Sequence, residues 1–93
     1  MLIMLIRFDL YLPTSHSLKD KRAIMKPLLN AMRRDFNISA SETDMHDAWQ
    51  RAEVAVVAVG NQRDALERIN RDLHHLMETQ PEAQLSDSAV EWL

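Results

Sequence analysis

The chain has no cysteine, which excludes a disulfide framework and any thiolate metal site. Its stability therefore has to come from packing, as suits a reducing cytosol. It also lacks a long hydrophobic run. The opening Met1 to Ile6 is apolar, but Arg7 and Asp9 interrupt it far short of the roughly 20 residues a membrane span needs. The same stretch is too short for the apolar centre of a secretory signal and has no basic segment in front of it. A cytoplasmic location without membrane attachment is the expectation. A chain of 93 residues buries about 60 to 65 per cent of the surface its unfolded form exposes. That provides one core and one domain, residues 1–93, with no second domain.

Acid is scarce in one part of the chain only. Residues 1 to 34 carry seven Lys or Arg against two acids, whereas residues 35 to 93 carry four against twelve, a split that the net charge of −3 conceals. Such an asymmetry marks either a basic binding face beside an acidic one or scattered solubilising charge.

Between residues 2 and 12 the even positions Leu2, Met4, Ile6, Phe8, Leu10 and Leu12 are all apolar. Period two predicts a strand with its even face on the core. Pro13 ends it. Ser17, three residues before Asp20, then reads as the N-cap of a helix that runs to about Asp35. At 100° per residue Leu18, Ile24, Met25, Leu28, Leu29 and Met32 share one arc, and Lys19, Arg22, Lys26 and Arg33 form a basic stripe on the far side. Lys21 falls inside the apolar arc, so it either snorkels past the core rim or points toward the end of the sheet. Pro27 withholds the amide that would bond to residue 23, and a kink near Ala23 is expected.

Residues 36 to 42 alternate weakly and suit a short edge strand, with a polar loop or hairpin tip from Thr43 to Arg51. Glu53 to Val59, rich in valine and bounded by Gly60 and Asn61, reads as a buried central strand. Asn61 with Asp64 reads as the cap of a second helix, whose inner face is Leu66, Ile69, Leu73, Leu76 and Met77. Its outer face offers the i,i+4 pairs Asp64 with Arg68, Glu67 with Arg71, and Arg68 with Asp72. A last strand spans residues 83 to 92 through Leu85, Val90 and Trp92. Met25, Met32 and Met77 read as core filler.

Two strand-helix-strand crossovers split by a hairpin predict an α+β two-layer sandwich of the ferredoxin-like type. Its antiparallel sheet would be ordered 4-1-3-2, with both helices on one face. In that topology the end of strand 1, the start of helix 1, the strand 2 to 3 hairpin and the end of helix 2 meet at one edge. Ser15, His16, Ser17, Lys19, Lys21 and Arg22 would gather there with His46, Asp47, Trp49, Gln50 and Arg51, joined by His74 or His75.

The run Ser15-His16-Ser17-Leu18-Lys19-Asp20-Lys21-Arg22 and the run Asp47-Ala48-Trp49-Gln50-Arg51-Ala52 resemble the two signature blocks of the YlxP-like proteins, a bacterial family of unknown function. The resemblance covers nearly the whole chain and implies a ferredoxin-like fold. Genes of that family often lie near those of translation initiation and ribosome maturation factors, which implies a setting rather than a mechanism.

Each candidate has a structural reading beside its functional one. A helix start beside Lys19, Lys21 and Arg22 suits phosphate or carboxylate, and with Lys26 and Arg33 it makes an RNA-backbone surface; otherwise it is a solvated basic face. His16 and His46 could act as an acid-base or metal pair with Asp47, although the spacing requires no metal or cofactor. Ser15 or Ser17 with a histidine evokes a hydrolase pair, but Ser17 is better used as a cap. Trp49 either stacks on a base or, the stronger structural reading, covers the end of the core. Arg51 and Asp47 could pair across the hairpin, and His74 and His75 read as surface. RNA-recognition motifs stack bases on aromatics of the open sheet face; here strand 3 has none and strand 1 offers only Tyr11, which argues against that mechanism. Ile3, Leu5 and alternate residues of the central strand would leave an apolar open face, suited to a homodimer or another partner chain. A binding module directed at RNA or the ribosome, a protein-interaction subunit, and a small anion-binding domain or enzyme remain three separate readings.

Overall fold

The computed structural model describes residues 1–93. Six elements follow one another as β1 Leu2–Tyr11, α1 Leu18–Asp35, β2 Ser39–Asp44, β3 Arg51–Gly60, α2 Arg63–Glu78 and β4 Gln84–Trp92. The strands make one antiparallel sheet in the order β2-β3-β1-β4, and the apolar sides of both helices join its inner face in a single core. This is the ferredoxin-like α+β sandwich.

The even face of β1 is the centre of that core. Met4, Ile6, Phe8 and Leu10 are completely buried, and in register opposite them stand Ala58, Val56, Val54 and Ala52 of β3. Small partners face the longer Met4 and Leu10, so the sheet surface stays level beneath the helices. Met25, Leu28 and Met32 of α1 and Leu66, Leu73 and Met77 of α2 close over it. Each larger side chain contributes about 1.5 to 3 kcal/mol by leaving water.

Ser17 caps α1: its hydroxyl accepts from Asp20 N at 3.0 Å, while the Asp20 carboxylate accepts from His16 N at 3.0 Å. The helix continues through Pro27 to Asp35. The second helix departs from expectation at its start. Gln62, not Asn61, occupies the cap position, and it makes no side-chain hydrogen bond. Glu67 pairs with Arg63 at 3.0 Å rather than with Arg71, and neither Asp64 nor Asp72 pairs with Arg68. Arg63 is drawn there because its guanidinium also lies 4.4 Å over the Trp92 ring, a cation–π contact that fastens β4 to the beginning of α2.

Two bulges decide which side chains face inward. In β4 the pairing passes from Leu10↔Leu85 to Asp9↔Asp87, leaving Ser86 unpaired. That extra residue places Leu85, Val90 and Trp92, which do not share a parity, on the same face. In β2 the register shifts between Glu42↔Val54 and Asp44↔Glu53, so Thr43 is the extra residue and Glu42 remains on the helix side. The second strand begins at Ser39 rather than at Phe36. Phe36 ends α1, donating its N–H to Met32 O, and it packs with Ile38 against the core from the connecting segment, outside the ladder.

His74 is half-buried rather than on the surface. Its ring meets Phe8 edge-on, with centroids 5.1 Å apart, and its nitrogens bond to Asn70 O at 2.8 Å and Ser88 Oγ at 2.9 Å. Truncation of Phe8 to Ala should therefore cost about 3 to 5 kcal/mol in urea unfolding. Val59→Ala, at a position 57% exposed, should change stability by no more than about 0.5 kcal/mol.

Candidate functional site

Lys21 organises the edge where α1 begins and the β2–β3 hairpin turns. Its azimuth carries it inward, and it ends 3% exposed among apolar neighbours. An ammonium in that position needs oxygen around it. Lys21 Nζ donates to the Met45 carbonyl at 2.6 Å and lies 2.7 Å from Glu42 Oε2. The contact with Oε2 is an ion pair between two largely buried side chains. Lys21 therefore points into the edge cluster, as one of its two expected placements had it.

Met45 is held with φ 61°, a left-handed conformation that non-glycine residues seldom adopt. Its surroundings account for it. Met45 N donates to Asp44 Oδ1 at 2.7 Å, its carbonyl accepts from Ala48 N at 3.1 Å as well as from Lys21, and the His46 ring bonds to Glu42 O at 3.1 Å. Gln50 anchors the other side of the turn. Its backbone carbonyl accepts from Leu12 N at 2.9 Å and its side-chain amide donates to Pro13 O at 3.2 Å. The hairpin is thus tied to the β1–α1 connection from both ends.

Beside the Lys21 contacts runs a groove of about 430 Å³ between α1 and β2. Leu18, Met25 and Leu29 are its apolar lining, and Lys21, Arg22, Lys26, Arg33, Asn30, Glu42, His46 and Asp47 supply the polar part. Of the cations, Lys21 is committed to the hairpin, and Arg33 donates twice to Ala40 O, at 3.2 and 2.6 Å, tying α1 to β2. Arg22 and Lys26 are exposed and have no acidic partner. Outside the groove, a hydrogen bond from Arg34 holds the exposed Asp35 carboxyl below its usual range, and the same bond raises Arg34.

The structure brings together six of the expected residues, Lys21, Arg22, Lys26, Arg33, His46 and Asp47. It separates others. His16 is exposed and does not line the groove with His46; Ser17 is spent as the cap; Lys19 is exposed on α1 outside the groove. Buried Ser15 donates to Ser17 O at 3.2 Å rather than to a histidine. Two expectations are overturned. Trp49 does not cover the core end but stands 55% exposed, because Leu12, Ala52 and the Gln50 bonds already close it. Arg51 does not pair with Asp47; its guanidinium lies 5.4 Å over the Tyr11 ring on the open face of the sheet. Neither His74 nor His75 reaches the groove.

Asn30 and Glu42 were not anticipated. Glu42 was legible in principle, since Ile38, Ala40 and Glu42 share a parity and a lysine inside an apolar arc requires an acid near it. Removing Lys21 as Ala should leave Glu42 and the Met45 carbonyl uncompensated and cost about 3 to 5 kcal/mol in chemical denaturation. A Lys21→Met, Glu42→Leu double variant should recover most of that loss, a difference that a double-mutant cycle reads directly.

The family model described as a protein of unknown function, DUF503, matches residues 3–90. Over 76 residues the chain is 33% identical to the uncharacterized protein YlxP of Bacillus subtilis (strain 168), covering 82% of this chain and 83% of that one. Among solved structures it is similar to a de novo designed protein with a ferredoxin fold, at TM-score 0.58 and 12% identity over 100% of this chain and 84% of that chain. A putative chlorite dismutase matches at TM-score 0.56 and 13% identity, over 99% of this chain and 44% of the other. Those two likenesses concern the fold alone. Family and fold agree with what the signature blocks and the order of elements implied, and the chain belongs to the DUF503 family, that of the YlxP-like proteins.

Proposed function

We propose that the protein is a binding module that contacts RNA, ribosomal RNA included, through the basic face of α1 and the groove beside it. The observation that carries this reading is the pairing state of the cations. Lys19, Arg22 and Lys26 are exposed with no acidic partner; of the two acids that line the groove, Glu42 pairs with Lys21 and Asp47 pairs with none of them. Unpaired cations in a row along a helix match the spacing of a phosphate backbone and gain affinity by releasing its counterions. The gene setting associated with YlxP-like proteins supports the same class of partner.

Affinity for RNA should fall steeply with salt, with a logarithmic slope near −2 if about three phosphates of a single strand are neutralised. Charge reversal of Lys19, Arg22 and Lys26 to Glu should abolish it while circular dichroism stays unchanged. RNA crosslinked to the protein in its own cells should disappear with the same variant. Absence of any binding at low salt would refute the reading.

A second reading draws on the open face of the sheet. There Ile3, Leu5 and Val57 are only partly covered and Val59 is 57% exposed. Arg7 lies 3.7 Å from Asp9, 3.8 Å from Glu53 and 4.0 Å from Asp87, so it offsets part of the acid on that face. A partly covered apolar band on an open sheet face suits a homodimer. On this reading the wild type sediments as a dimer and Leu5→Asp as a monomer; a monomeric wild type at high micromolar concentration would exclude it.

A further inference from the structure

Two side chains next to the groove are left unused by a surface that only neutralises phosphate. Trp49 is exposed, with no ring or cation against its indole. It is nevertheless held in a fixed place, since the Lys21 contacts fix the turn before it and Gln50 ties the residue after it. Asp47 lines both the α1 groove and the shallow recess of about 340 Å³ in front of Trp49, and it makes neither a hydrogen bond nor an ion pair. Groove and recess therefore share one wall residue, a free carboxylate.

A carboxylate on a phosphate-binding surface repels its ligand. It becomes useful where a base edge donates to it, because an ionised Asp is an acceptor only. A duplex keeps its bases stacked inside and offers no ring face to an indole, whereas an unpaired base offers both a face and a Watson–Crick edge. Guanine has two adjacent donors on that edge, N1–H and the N2 amino group, to meet the two oxygens of Asp47. Adenine and cytosine set an acceptor beside their donor, and uracil flanks its donor with two acceptors. We propose that the groove and the Trp49 recess form one track for unpaired RNA, in which phosphates lie along Arg22 and Lys26, a guanine stacks on Trp49, and its edge donates to Asp47. This inference rests on the RNA reading above and narrows it to single-stranded segments.

The test is fluorescence anisotropy of the full chain with a short unstructured oligouridylate carrying one central guanosine. Comparison RNAs have inosine or uridine at that position, or a hairpin in which the guanosine is paired. The unpaired guanosine should bind tightest. Inosine, which lacks the amino group, should bind several-fold more weakly, and the paired form about tenfold or more. Trp49→Ala should lose about tenfold and Trp49→Phe should restore most of it. Asp47→Asn should remove the preference for guanosine while leaving the salt slope unchanged, a combination that general destabilisation would not produce. If the hairpin binds as well as the open strand, or if Trp49→Ala and Asp47→Asn change nothing, the inference is overturned while a loss on charge reversal of Arg22 and Lys26 keeps the RNA reading. If no RNA binds even at low salt, both fall together.

Discussion

The buried ammonium of Lys21 is the constraint around which the functional edge is arranged. Moving a charge out of water costs several kcal/mol unless oxygens replace the water, and Lys21 obtains them only by drawing Glu42 and the Met45 carbonyl to itself. Two structural features go with that requirement. The start of α1 is fixed to the hairpin, and Met45 holds a left-handed backbone. The hairpin, polar and almost without apolar anchors of its own, would otherwise have little to order it.

The same contact divides the basic residues of α1 into two kinds. Lys21 and Arg33 spend their charge on the protein, one on the hairpin and one on the Ala40 carbonyl. Arg22 and Lys26, one helical turn apart, are left free on the rim of the groove. Positive charge that serves no internal pair is costly to cluster on a small surface, and a partner of opposite charge offsets that cost. The exposed indole of Trp49 and the free carboxylate of Asp47 extend the same surface around the turn.

Elsewhere the sheet is set by register. The uninterrupted pairing of β1 with β3 puts large and small side chains opposite each other, whereas each outer strand carries one bulge. In β4 the bulge turns Trp92 inward toward Arg63, and in β2 it lets Glu42 face Lys21 while Asp44 faces the other way. One extra residue in each strand thus settles which of two neighbouring polar or apolar side chains meets a helix.

Local pattern determined the order of the elements, the inner faces of β1, β3 and both helices, the Ser17 cap and the ferredoxin-like topology, because periodicity and capping act over a few residues and survive in the sequence as spacing. It also brought the His16 to Arg22 and His46 to Arg51 segments to one edge, since that follows from topology alone. Tertiary structure decided what each of those side chains does there. That Lys21 takes Glu42 and the Met45 carbonyl as its partners, that Trp49 faces water, that Arg51 turns to Tyr11 instead of Asp47, and that Arg63 displaces the expected pairs of α2 all depend on the completed fold. Such contacts are settled by competition for desolvation and hydrogen bonds among groups that only the completed sheet brings together.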